Sequence, residues 1–233
     1  MVQPTERARG AAEPGPTAPG LTIDRLAAGW PGQPSVFRGL TADVSPGQWL
    51  VVAGPSGSGK TTVLAVLLGF LEPREGGVRA GGRVAWCPQE SHLFDSTVRG
   101  NLAMARAKEE APDEDELWRA LDRVGLGDHV RALPGGLDAR IGSRGSELSG
   151  GQRQRLAVAR TLVAEAGVVL LDEPTAHLDP EAAEDLVGGL HTALADRAVV
   201  MVTHRASELR DGDVLVRLDA LGDGARRIAV GAD

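Results

Sequence analysis

Cysteine, lysine and tyrosine are almost missing from this 233-residue chain: one Cys at position 87, lysines only at 60 and 108, and no Tyr. A single cysteine cannot close an intramolecular disulfide, which favours a reducing compartment. Positive charge is also short. The formal net charge of −7 excludes a broad electrostatic grip on nucleic acid or on an anionic membrane surface, so any phosphate site must be local. No stretch approaches the roughly 18 consecutive apolar residues of a membrane span. The densest run, Val63 to Leu71, is short and interrupted by Gly69. The N-terminus lacks the charged-then-apolar pattern of a secretory signal. Basic residues are nearly all Arg, as a GC-rich coding bias would produce, which makes Lys60 worth explaining.

What is present is enough for one sizeable core with a small second lobe, since 42% of the residues are apolar. Met1 to Gly20 is dense in Pro, Gly, Ala and charge and reads as a disordered tail or linker. From Leu21 onward, short apolar runs read as strands: Leu21–Ala27, Trp49–Ala53, Arg83–Cys87, Val168–Asp172, Ala198–Thr203 and Val214–Leu218. Several are unbroken rather than alternating, as expected of strands covered on both faces. Helical patterns fall between them at Lys60–Leu68, Asp115–Val124, Gly150–Ala164 and Glu181–Leu194. Alternation of strands and helices predicts an α/β fold with a mainly parallel sheet. Leu93 to Leu148 breaks the alternation, with helical segments, an acidic loop at Glu109 to Glu116 and no convincing strand. It is expected to be a helical lobe inserted into the core.

Three stretches carry chemistry. After the strand Trp49–Ala53 comes Gly54-Pro55-Ser56-Gly57-Ser58-Gly59-Lys60-Thr61, then Thr62 and a helix-forming run. This is the GxxxxGK[ST] phosphate loop: glycines let successive N–H groups turn inward, and the helix start adds its positive end. Lys60 would reach the β- and γ-phosphates and Thr61 would ligate magnesium. The strand Val168–Leu171 ends in Asp172-Glu173, one carboxylate to hold a metal and one to orient water. Alone, that pair is equally a capping or solvent-facing feature; beside a phosphate loop it is more specific. Leu148-Ser149-Gly150-Gly151-Gln152 runs into a third helix, where Ser149 can be an ordinary N-cap or the glycines a second anion site.

Taken together and in this order, the three stretches resemble the ABC ATPase family over nearly all of residues 21 to 233. The resemblance implies a P-loop NTPase (RecA-like) core, 21–92 and 153–233, with a small antiparallel β part and a helical lobe, 93–152, that ends in the signature motif. It implies ATP and Mg²⁺, with Thr61, Gln89 and Asp172 at the metal and Glu173, His204 and Gln89 as the catalytic set. Gln89 in Trp86-Cys87-Pro88-Gln89-Glu90 is similar to the Q-loop glutamine, and His204 after Val202-Thr203 to the switch histidine. Asp179 in Ala176-His177-Leu178-Asp179 is similar to the D-loop, a role compatible with capping the next helix. Trp30 sits where the family places an adenine-stacking aromatic, usually Tyr; it could equally pack on its own lobe. Ser149, Gly150, Gly151 and Gln152 would contact ATP held by a facing second ABC domain, so hydrolysis would belong to a head-to-tail dimer.

Gln89 to Leu102 and Ile141-Gly142-Ser143-Arg144-Gly145 are similar to the exporter branch, with one departure: Ser143 stands where exporters commonly carry Glu. The wording of Trp86–Phe94 and Thr175–Asp179 is most similar to the CydC half of bacterial thiol exporters. The implied setting is the cytoplasmic face of a bacterial plasma membrane, under a membrane-spanning partner, with a small solute such as cysteine or glutathione as cargo and no nucleic acid. The linker-like start would fit an excised or separately encoded portion. Two alternatives stand beside this: a non-transport ABC ATPase, and a subunit with a hydrolysis-poor site in a heterodimer.

Overall fold

The computed structural model describes residues 20–90, 92–205, 208–218 and 226–229. The expected tail, apart from Gly20, and Ser91 of the Q-loop stretch lie outside the described residues.

Two sheets and six helices make up the described fold. The larger sheet runs β5 (Val84–Cys87), β6 (Val168–Asp172), β7 (Ala198–Thr203), β3 (Trp49–Ala53), β8 (Val214–Arg217) and β9 (Arg226–Ala229) in spatial order. All its pairings are parallel except β8 with β9. The smaller sheet is antiparallel, with β1 (Leu21–Ala28) between β2 (Phe37–Val44) and β4 (Glu75–Ala80). The helices are α1 (Lys60–Leu67), α2 (Val98–Ala103), α3 (Glu114–Arg123), α4 (Gly127–Ala132), α5 (Gly150–Val163) and α6 (Pro180–Ala193).

Unbroken apolar strands mean what the sequence predicts, burial on both faces. The side-chain period of two sends Val51, Val169, Leu171, Val199 and Met201 into one core, together with α3, α5 and α6. Their alternates Leu50, Val52, Val168, Leu170, Val200 and Val202 face a second core built with α1 and the small sheet. The central sheet is thus the middle layer, and its strand ends are held rigidly. Helix α1 stops because Gly69 takes φ 73, so that Phe70 N–H reaches Ala65 O and Gly69 N–H reaches Val66 O.

The stretch from 93 to 148 is helical as expected, with Thr97↔Arg140 an isolated bridge. The acidic loop expected at Glu109 to Glu116 is only partly a loop. Glu114, Asp115 and Glu116 form the first turn of α3, where carboxylates favour the positive helix end, and Asp113 caps it in a reciprocal box with Glu116. Fully buried Asn101 stitches the lobe's entry, donating to Phe94 O and Thr97 O and accepting from Phe94 N–H. Helix α5 runs without a break across the expected border at 152, carrying the Ser149 turn on a rod anchored in the main core.

On α6, His191 stacks on Trp49 of β3, ring centroids 3.8 Å apart at 11°. Burial pushes its imidazole down to about 4, aided by the Arg210 charge. The folded state therefore resists the proton that the unfolded chain accepts near 6.5. Stability is complete above pH 6.5 and falls as the pH drops from there through 4. The expected loss is on the order of 1–3 kcal/mol by pH 4. Asp213, whose carboxyl burial raises, offsets part of it. Urea titrations at pH 8 and pH 5 should show this slope in the native chain and a flatter one in His191→Gln; equal slopes would refute the assignment.

Candidate functional site

The order of strands in the large sheet brings the predicted residues together. β5, β6, β7 and β3 are neighbours, and each ends in a residue singled out from the sequence: Gln89 beyond β5, Asp172-Glu173 at β6, His204 after β7, and Gly54 after β3. Ligands bind at the carboxyl ends of strands in such sheets because the loops there converge around one crevice.

Glu173 is the hub. Gln89 Nε2 donates to its Oε2 at 3.1 Å, and His204 Nδ1 stands 3.2 Å from the same oxygen. Its backbone takes φ 45, an unusual left-handed conformation for a glutamate, fixed by its N–H bond to Val202 O at 2.9 Å. The carboxylate is thereby held at the strand mouth with one oxygen engaged. Asp172 beside it is half-buried. Burial and the Glu173 charge push its carboxyl up, and Lys60 pulls it back.

The phosphate loop has the form the sequence implies. Gly59 at φ 102 precedes α1, and a Cβ there would come within 2.5 Å of Val36 Cγ1. At Gly54 a Cβ would meet Leu218 O and Ser58 Oγ. No side chain caps α1 and its first turn holds no acid, so its leading N–H groups are free for an anion. Lys60 Nζ lies on its own loop, donating to Gly54 O at 2.7 Å and Pro55 O at 3.1 Å. Ser58 Oγ is buried without a partner, as a cradle for a polar ligand would leave it. Thr61 is exposed, whereas Thr62 is buried, leaving mainly its backbone for a nucleotide. Among the described residues no cluster of three or more His, Cys, Asp and Glu could hold a metal by itself. The residues fit a cation that keeps water and phosphate ligands and takes only one or two protein oxygens, the habit of Mg²⁺.

Trp30 is 46% exposed on the loop leaving β1. Arg74 anchors that loop through Trp30 O at 2.9 Å, and Val36 at its far end lies against Gly59 of the phosphate loop.

The Ser149 turn is elsewhere. Ser149 caps α5 in a reciprocal box with Gln152, and Asp179 caps α6 through Ala182 N–H at 2.9 Å. Ser149, Gly151, Gln152 and Asp179 line a cavity of ≈ 780 Å³, and none of residues 54–61 lines it. Gly150 lines a second cavity together with Gln89, and none of residues 54–61 lines that one either.

Sequence reasoning missed Glu208. It is 3% exposed, and its two carboxylate oxygens accept from the hydroxyls of Thr175 and Thr203. It ties the loop after Glu173 to the strand end before His204. A lone acid near the end of a chain gives no hint of that.

Comparison with known proteins gives a consistent picture. The family model described as "ABC transporter" matches residues 37–176. The chain is 36% identical over 202 residues to the ABC multidrug transporter MDR2 of Trichophyton equinum, covering 81% of the chain and 15% of the relative. It is 36% identical over 189 residues to the ATP-dependent lipid A-core flippase of Burkholderia pseudomallei, covering 76% of the chain and 31% of the relative. The structure of a bacterial Atm1-family ABC exporter with ATP bound superposes with a TM-score of 0.78 at 29% identity, covering 95% of this chain and 42% of that one. The chain therefore spans well under half the length of these proteins.

Proposed function

The chain belongs to the ABC transporter family as an ATP-binding, ATP-hydrolysing domain, and from that premise we propose that it powers a small-solute exporter by pairing head to tail with a second such domain. The observation that supports the pairing is where Ser149 stands: Gln89 and His204 meet on Glu173, while Ser149 lines a cavity that neither these three nor residues 54–61 line, and only its neighbour Gly150 shares a second cavity with Gln89. A second chain turned by a two-fold axis supplies what each crevice lacks, twice over.

In this reading Trp30 stacks on the adenine, and Gly54 to Thr62 enclose the phosphates with Lys60 swinging from its loop carbonyls onto them. Mg²⁺ would be held by one or two oxygens drawn from Thr61, Asp172 and Gln89 and would supply charge neutralisation at the phosphates. Glu173 orients and polarises the attacking water, its free oxygen aimed while Gln89 and His204 fix the other. Ser149, Gly150, Gly151 and Gln152 of the facing chain stabilise the γ-phosphate charge, and Asp179 joins the two sites.

The membrane-spanning partner would dock where large apolar side chains stand exposed: Phe70 and Trp86, in edge contact at 6.2 Å, with Phe94 and Met104. Among the described residues no helix is long and apolar enough to cross a membrane, so the cargo is chosen outside them. The proposed place is the cytoplasmic face of a bacterial plasma membrane. A thiol cargo rests on the wording of Trp86–Phe94 and Thr175–Asp179 alone.

The test is Mg-ATP turnover per chain against protein concentration. It should rise steeply and then level off as pairs fill. Constant turnover per chain down to the lowest concentration would overturn the pairing, and tight ATP binding with no turnover at any concentration would point to an obligatory different subunit.

A further inference from the structure

We propose that His129 is a positioning residue for the Ser149 turn, acting through the side-chain amide of Gln152 and only while its Nδ1 carries no proton. The inference rests on the head-to-tail reading above, in which that turn meets the nucleotide of the facing chain.

The hydrogen bonds leave one arrangement. Gln152 Oε1 accepts from Ser149 N–H at 2.8 Å, and Gln152 N–H donates to Ser149 Oγ at 3.3 Å. The amide is thus oriented, and its NH₂ group faces His129 Nδ1 at 3.3 Å. An NH₂ can only donate, so Nδ1 must accept and the imidazole proton must sit on Nε2. That Nε2 is buried without a partner among the described residues, so no other contact among them selects this tautomer.

Adding a proton to Nδ1 sets donor against donor. Either the contact with Gln152 is lost, or the amide turns over and points its NH₂ at Ser149 N–H, which breaks the capping box. The second outcome frees the hydroxyl and N–H groups of Ser149 from their fixed aim, and the first removes the contact that steadies the Gln152 amide from the side away from Ser149. Histidine is the side chain that takes up a proton between pH 8 and 5. Charged groups surround His129 in the cavity. Carboxylates of Asp122, Asp179 and Asp185 line the same cavity, opposed by Arg123, Arg155 and the exposed His177, and Asp128 is its neighbour in α4. Arg131 is paired with Asp122 at 2.7 Å and holds that carboxyl below the usual range, so Asp122 stays charged throughout. Arg155 is committed to Val124 O at 2.6 Å.

The experiment uses the Glu173→Gln chain, so that ATP is not consumed, and measures its Mg-ATP-dependent dimerisation by sedimentation at pH 8 and pH 5.8. Acidification should weaken the dimer about tenfold or more, the scale of losing a helix cap in each of two sites. Adding His129→Asn, whose carbonyl stands in for Nδ1 and does not titrate, should cut the pH response to less than twofold. Adding His129→Leu should weaken the dimer at both pH values. A full pH response in the Asn variant overturns the inference, because His92, His177, His191 and His204 remain in every variant. As a check that needs no variant, ¹⁵N–¹H correlation of the His129 ring at pH 8 should show the Nε2–H tautomer; Nδ1–H overturns it. Failure of the Glu173→Gln chain to dimerise with ATP at any pH is a different result, which sinks the head-to-tail reading and this inference with it.

Discussion

Glu173→Gln should cut ATP turnover by about 10²- to 10⁴-fold while ATP binding stays within about twofold of the native chain. Glutamine keeps the size and the strained φ 45 backbone, and its amide can still meet Gln89 and His204. What it loses is the charge that polarises water. Binding is a separate matter, because the phosphate loop hangs from β3 and Glu173 from β6, with β7 between them. The contrast with a loop variant is therefore sharp in principle: losing Lys60 takes away a charge that lies in the cradle itself. Equilibrium binding of a fluorescent ATP analogue beside steady-state phosphate release would measure both numbers. Turnover within a few-fold of native would remove Glu173 from the catalytic role and shift it to Asp172 or to a group of the facing chain.

How far the sequence could be read depended on how local each cause was. β3, β6 and β7 are unbroken apolar runs, and their boundaries match the expectation to the residue. The small antiparallel part implied by the resemblance is there, but its strands β2 and β4 carry no strand pattern of their own. Four of the six residues of β4 are glycine or charged, with little burial, and both strands owe their existence to pairing with β1 rather than to their own pattern. α2 and α4, six residues each, are too short to show a helical period. The candidate site residues were nameable one by one from their motifs, yet their meeting was not, since it depends on the spatial order of β5, β6, β7 and β3. Glu208 and His129 lay beyond reach for the same reason. Glu208 faces Thr175 from 33 positions away and His129 faces Gln152 from 23, and neither pair leaves a mark on local composition.

Mixing two dead chains should restore activity if the site is shared between chains. Ser149→Arg places a bulky cation on the exposed turn at the start of α5 and removes the Ser149 cap, a stability cost of about 0.5–2 kcal/mol. The variant should fold, retain ATP binding through Lys60 and Thr61, and show turnover below about 1% of native, since a group meant to aim at transition-state charge is gone. Glu173→Gln is inactive for the other reason. In a two-fold pair each crevice takes Glu173 from one chain and Ser149 from the other, so a mixed pair has one crevice with both defects and one with neither. Random pairing of equal amounts makes about half of the pairs mixed, each with one of two sites intact, so the mixture should recover about a quarter of native turnover. If Ser149 served the crevice of its own chain, every crevice in the mixture would carry one defect and activity would stay at the level of the separate variants. The cavity lined by Ser149 includes neither Glu173 nor any of residues 54–61, which predicts the first result. Recovery also depends on chain exchange, so it should appear only after the pairs are opened, by removing ATP before mixing, and the time course of regained turnover would report how fast hydrolysis-dead pairs come apart.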